Sequence, residues 1–155
     1  MSMELHVLSD RRFSSIAEWQ RAIDIEKYPL RLAADVRFAS AKGFLPAMLN
    51  GKQSGFECYH DDATGTMKFL GNDHFGHRWA FALGFRWRGD FDELEAAWMA
   101  ATAYAAGTSG VIFDHQEGKQ FTPAQARDVI VGILRDRPRA EAFAEEVIRK
   151  FASKS

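Results

Sequence analysis

Trp79-Ala80-Phe81-Ala82-Leu83-Gly84-Phe85-Arg86-Trp87-Arg88 is the stretch on which the reading of this chain turns. Trp79, Phe81, Leu83, Phe85 and Trp87 share one parity, and Ala80, Ala82, Gly84, Arg86 and Arg88 share the other. A period of two is the signature of a strand, whose successive side chains point to opposite faces. Five large apolar groups on one side call for a covering helical layer. The Ala/Gly side is either closely covered or open to a partner.

The segments downstream supply that layer. Asp90-Phe91-Asp92-Glu93 has the form of a capping box, with Asp90 accepting from free backbone N–H groups and Glu93 reaching back. The helix it opens carries Leu94, Ala97, Trp98, Ala101 and Tyr104 on one face and is expected to end at Gly107. Gly110 to Asp114 reads as a short apolar strand. Thr122-Pro123-Ala124-Gln125 is a second capping box with proline at the first helical position, and its helix turns Val129, Ile130 and Ile133 inward. Pro138 is expected to break that helix. A separate amphipathic helix over residues 138–152 then sets Phe143, Val147, Ile148 and Phe151 against Glu141, Glu145, Glu146, Arg149 and Lys150.

Upstream, Glu4 to Leu8 alternates as a short opening strand. Ser14 or Ser15 caps a helix with Ile16, Trp19 and Ile23 on one face, and Pro29 stops it. Leu30 to Phe38 has the even spacing of an irregular strand. Pro46 argues against a central strand over residues 43–49, which read as a loop or edge segment. Asn50-Gly51 is a turn, Gly55 to His60 a strand, and Asp61 to Gly65 a further turn. Helices mixed with an antiparallel strand group predict an α+β two-layer sandwich with helices on one face of the sheet. The length, 155 residues, fits a single domain over 1–155. The 138–152 helix either packs on that domain or serves an oligomer interface.

Composition excludes several classes. Lys and Arg number 20 against 21 Asp and Glu, so a net charge of −1 offers no bulk attraction for nucleic acid or an anionic membrane. Arg78, Arg86 and Arg88 interleave with aromatics that could stack bases, but the alternation turns those aromatics to the opposite face. One cysteine precludes an intramolecular disulfide and any CxxC pair. The N-terminus has neither the basic nor the long apolar region of a secretory signal, and no window approaches a membrane span. A cytoplasmic location is the expectation.

Chemistry-bearing residues are few. Asp73-His74-Phe75-Gly76-His77 places two imidazoles three residues apart. His60, Asp61 and Asp62 lie one turn earlier, and Asp114-His115 approaches from the following strand. His60, His74, His77 and Asp114 are the candidate ligands for a metal such as zinc, which takes His and carboxylate donors. HxxH in a loop lacks the helix and glutamate of a metalloprotease motif, and a polar hairpin loop is the simpler reading. Cys58 and His60 share a strand face, yet no helix N-terminus or cationic pocket activates the thiol, so Cys58 reads as a small buried hydrophobe. No catalytic residue and no cofactor are assigned.

An Ala-rich helix followed by Thr108-Ser109-Gly110-Val111-Ile112-Phe113-Asp114-His115-Gln116-Glu117-Gly118, and then by Thr122-Pro123-Ala124-Gln125, resembles a pattern in small bacterial cytosolic proteins. Some of these are immunity proteins of polymorphic or contact-dependent toxin systems. Gly51-Lys52-Gln53-Ser54-Gly55-Phe56-Glu57 is similar to a turn-strand element of the same proteins. The resemblance covers about half the chain and transfers no contact residues. It implies a non-enzymatic protein that binds a protein partner and occludes its active surface. Asp61, Asp62 and Asp73 are candidate contacts for such a partner. Two further expectations stand beside it: a small metal- or ligand-binding enzyme built on the His60, His74, His77 and Asp114 region, and a homodimer formed through the C-terminal helix.

Overall fold

A computed structural model describes residues 3–71 and 76–153. Seven antiparallel strands form one sheet in the order β2-β3-β4-β5-β1-β6-β7. They are β1 (Met3–Ser9), β2 (Leu30–Leu32), β3 (Lys42–Leu49), β4 (Lys52–Asp61), β5 (Phe81–Trp87), β6 (Val111–Asp114) and β7 (Lys119–Phe121). Among the described residues the helices are α1 (Ile16–Ile25), α2 (Ala63–Leu70), α3 (Phe91–Thr108) and α4 (Pro123–Ser153), with a 3-10 turn at Phe38–Ser40. The architecture is the expected α+β fold, but the helices do not all lie on one face of the sheet: α2 packs on the face opposite to α1 and α3, because Leu8, Ala82 and Phe113 offer it a small apolar patch there. No described helix is long and apolar enough to cross a membrane.

The aromatic parity of β5 does face the helices. Leu83, Phe85 and Trp87 are buried in the main core with Leu5 and Val7 of β1 and Phe56 and Cys58 of β4. Trp79 lies before the strand and packs instead against a smaller cluster on the other face, made by Leu8, Ala63, Met67, Ala82 and Phe113. Helix α2 covers that second cluster. Its start, capped by Asp62 accepting from the Gly65 N–H at 2.8 Å, replaces the turn expected at residues 61–65.

Trp19 of α1 sits at the centre of the main core, fully buried. Its ring contacts those of Phe38, Phe56, Phe85 and Tyr104 at centroid separations of 5.2, 6.1, 5.8 and 5.3 Å. Its Nε1–H donates to the Ala100 carbonyl at 2.9 Å, which satisfies the one polar atom of the ring. Helix α3 is buried almost all round because it is wedged between the sheet and the helices α1 and α4. The aromatic content of the chain is therefore largely packing.

Further local expectations change. The strand expected from Leu30 to Phe38 stops at Leu32, and Phe38 opens the 3-10 turn. Residues 42–49 form a strand flanked by β2 and β4, despite Pro46. Pro46 lies opposite Gly55, whose φ of +147° and close approach to the Leu45 carbonyl leave no room for a β-carbon. The strand is tolerated because β2 stops at Leu32, and beyond it the Pro46 carbonyl accepts from the Ala33 N–H at 3.0 Å. Helix α3 continues through Gly107 to Thr108, with Ser109 as its left-handed cap at φ +57°. Gly107 is small for another reason: a β-carbon there would meet the Phe13 ring at 2.5 Å.

Pro138 does not end the fourth helix, which runs unbroken from Pro123 to Ser153. Proline forfeits one helical hydrogen bond, but Arg137 beside it is tied on both sides. It pairs with Asp92 at 2.8 Å and Glu95 at 2.6 Å on α3, and with Glu141 one turn further along α4. These contacts hold the helix in register across the proline. They also fix where α4 leaves the domain, because Asp92 and Glu95 lie in the first turns of α3. The 16 residues from Pro138 to Ser153 thus extend roughly 24 Å past that point at 1.5 Å per residue.

Candidate functional site

The outer face of the sheet, opposite the main core, carries the most concentrated chemistry. Register builds it. Strand β1 lies between β5 and β6, so Glu4 pairs with Arg86, and His6 pairs with Gly84 on one side and Phe113 on the other. Strand β4 continues both rows, with Glu57 opposite Arg86 and Tyr59 opposite Gly84. His115 follows β6 and donates its backbone N–H to the Glu4 carbonyl. Glu4, His6, Asp61, Arg86 and His115 thereby come to line one open cleft of about 440 Å³, with Phe69 of α2 on its rim.

The imidazole of His6 is the hub, with its side chain only 6% exposed. Its Nε2 lies 2.7 Å from Oδ2 of Asp61, and its Nδ1 lies 2.7 Å from Nε2 of His115. A carboxylate only accepts, so Nε2 of His6 carries a hydrogen and donates to Asp61. In the neutral ring, Nδ1 then presents a lone pair to Nε2 of His115, which as the N–H tautomer donates to it. Glu4 Oε1 stands 4.0 Å from the same Nδ1 and 3.4 Å from Nε of Arg86. Arg86 in turn lies over the Tyr59 ring.

Gly84 sets the depth of this arrangement. A β-carbon at that position would sit 2.7 Å from Asp61 Oδ2 and 3.1 Å from His6 Nε2. The small parity of the β5 strand is thus a floor cut low enough for the Asp61–His6 bond to cross it. Burial pushes the His115 imidazole below its ordinary 6.5, with Glu4 opposing and His6 reinforcing that shift. Burial likewise raises Asp114, against hydrogen bonds from the Gln116 and Glu117 backbone.

The residues singled out from sequence are distributed differently. His60 turns its Nε2 to the Phe38 carbonyl at 2.8 Å and stacks edge-on against the Phe38 ring, which fastens the 3-10 turn to the sheet. His77 pairs with Asp10 at 2.6 Å and touches Trp79. Asp114 holds the turn after β6 by accepting from the Gln116 N–H at 3.0 Å. His74 and Asp73 lie outside the described residues. His60, His77 and Asp114 form no common ligand cluster. Asp61 and Asp62, read as partner contacts, are engaged by His6 and by the α2 cap. Cys58 is buried, and burial drives its thiol far above the ordinary range, so it packs as a hydrophobe as expected.

The sequence carried partial signals for this cluster: Asp61 and His115 stood beside the expected metal ligands, though with His74 and His77 in place of Glu4 and His6. Alternation in the opening strand places Glu4 and His6 on the face away from Leu5 and Val7. What sequence spacing does not reveal is the strand order: β6 pairs on one side of that strand and leads into His115, while β5 pairs on the other side and carries β4, with Asp61 at its end, next to it.

A second surface is set by α4 beyond Arg137. Phe143, Ile148 and Phe151 are 69%, 68% and 74% exposed. With Ala140, Ala144 and Val147 they form one apolar stripe, with Glu146 and Lys150 along the edge beside Phe143 and with Glu145 and Arg149 turned to the other side of the helix. Comparison with protein-family models, curated proteins and solved structures finds no match to this chain.

Proposed function

We propose that this chain is a non-enzymatic binding protein that occludes a surface of a protein partner, in the manner of the immunity proteins its sequence resembles. The observation that carries this reading is the apolar stripe on the projecting part of α4. Isolated exposed hydrophobics are ordinary, but a continuous row of phenylalanine and isoleucine rimmed by charge marks an interaction site. The seam Ala140, Ala144, Val147, Phe151 follows the four-three-four spacing of a helix that docks in a groove or against another helix.

Size favours a different protein over a second copy as the occupant. The projecting helix is roughly 24 Å long and about 10–12 Å across, so one face offers about 300 Å². Stable interfaces bury about 800 Å² per partner. Two such stripes pairing with each other fall short, whereas a groove that receives the helix gains contacts on its flanks. The aromatic side chains would be the anchors, since a few large buried groups dominate binding energy.

The test is the double variant Phe143→Glu/Phe151→Glu compared with the parent chain in quantitative capture from the cells that produce it. A protein retained in stoichiometric amount by the parent and lost by the variant is the expected outcome, with equal melting temperatures. Equal retention by both chains would refute the role of the stripe.

A further inference from the structure

We infer that Glu4, His6 and His115 form a binding site for one divalent transition-metal ion of the zinc class, with Asp61 as the partner that orients His6. The inference is independent of the α4 surface. It rests on four observations about the outer face of the sheet.

First, the three residues offer ligand atoms that all lie within 4.8 Å of one another, and no other group of three His, Cys, Asp or Glu among the described residues does so. Second, the donor set is chemically apt. Two imidazoles and one carboxylate suit zinc and its first-row neighbours, and three protein donors leave a position for water. Third, Asp61 accepts from Nε2 of His6 at 2.7 Å and so leaves the lone pair of Nδ1 facing the other two donors. A carboxylate behind a ligating histidine is the usual means of fixing its tautomer and ring orientation. Fourth, the cleft opens the cluster to solvent, which gives the ion a path in and the fourth ligand a place to stand.

Geometry requires a small adjustment. The His6 and His115 nitrogens are 2.7 Å apart because they share a proton. Around a tetrahedral ion with metal–nitrogen bonds of about 2.0–2.1 Å, they would stand roughly 3.3 Å apart. His115 can open that gap because it follows the last residue of β6 and is half-buried, whereas His6 is held within the sheet. Glu4 closes from 4.0 Å by side-chain rotation. The ion replaces the shared proton, so His115 loses its Nε2 hydrogen to solvent on binding.

Arg86 makes the site distinctive. Its guanidinium approaches Glu4 at 3.4 Å and contributes a like charge beside the incoming cation. It therefore weakens the ion without being a ligand. Removing its charge should tighten binding, an effect that a merely structural role for Glu4 would not produce.

The experiment is titration of the untagged, chelator-treated full chain with Zn²⁺ by calorimetry and with Co²⁺ by visible absorption. One ion per chain is expected, with cobalt bands displaced by zinc. His115→Ala and Glu4→Gln should each weaken binding by at least about tenfold, and Asp61→Asn by about 10–100-fold. Arg86→Gln should strengthen it. Thermal melting of each variant without metal separates loss of the site from loss of the fold, and His115, half-buried and outside the strands, is the substitution least disturbing to the core. Absence of saturable uptake by the parent, or uptake that His115→Ala leaves unchanged, would overturn the site. Asp61→Asn binding as tightly as the parent would overturn the orienting role.

Discussion

Asp61 and His6 meet above position 84 because that position has no β-carbon. Gly84→Ala adds one methyl group 2.7 Å from the Asp61 oxygen and forces the carboxylate off Nε2 of His6. The backbone there has an ordinary extended conformation, so alanine costs little in φ/ψ terms and restricts the unfolded chain. The two effects on stability oppose each other and should leave a net change within about 1 kcal/mol. Zinc affinity, by contrast, should fall about 10–100-fold, as it does when an orienting partner is lost. Chemical denaturation and calorimetric titration of the same variant read the two outcomes separately.

His115 gives the same face a pH dependence. Its folded-state pKa lies below the ordinary 6.5, chiefly through burial, so the unfolded chain binds this proton more tightly than the folded one. The stability it contributes is fully present above 6.5 and is lost as the pH falls through 6.5 toward the lower folded value. Urea midpoints of the metal-free chain should therefore decline on acidification from pH 7.5 across that window. His115→Asn should flatten the decline, and an equally steep profile in the variant would assign the effect elsewhere.

At the scale of elements, the decisive contact is Arg137 with Glu95. The glutamate side chain is 3% exposed on a helix otherwise buried in apolar surroundings, and Arg137 neutralises it at 2.6 Å. Arg137→Met would leave that carboxylate buried and unpaired, at a cost of about 3 kcal/mol, the low end of the range because Arg137 is partly solvated. Pairing the change with Glu95→Leu should recover most of the loss, since an apolar pair of similar volume replaces the ions. A double-mutant cycle by urea denaturation checks this, and simple additivity of the two losses would contradict it. The same contact explains why α4 survives Pro138. Proline's local cost was legible in the sequence, while the three carboxylates gathered around Arg137 come from two helices and were not.

For the whole molecule, what could be read from the chain was whatever repeats locally. The alternation over residues 81–87 fixed which face is core. Ser15 and Asp90 do cap α1 and α3, and Thr122 and Gln125 bond each other's backbone N–H groups at 3.2 and 2.9 Å as a reciprocal box. Asn50-Gly51 turns the β3–β4 hairpin with both residues at positive φ. The stripe of Phe143, Val147, Ile148 and Phe151 was also visible as helical periodicity. The Glu4, His6, Asp61 and His115 cluster was not, because it is made by strand order and register between segments more than 50 residues apart. The more conspicuous His60 and His77 serve backbone and surface contacts instead.

These two faces divide the molecule: a polar cleft on the sheet and an apolar helix projecting from the opposite layer. The projecting helix is proposed to meet a different protein. The most direct test is a photo-crosslinking side chain placed at Phe151 of the intact chain in its native cells, with Lys52 of the β3–β4 hairpin as control. The expected result is one adduct, formed at 151 and not at 52, whose mass differs from that of two copies of this chain. An adduct of twice the chain's own mass, or equal labelling from both positions, would contradict it.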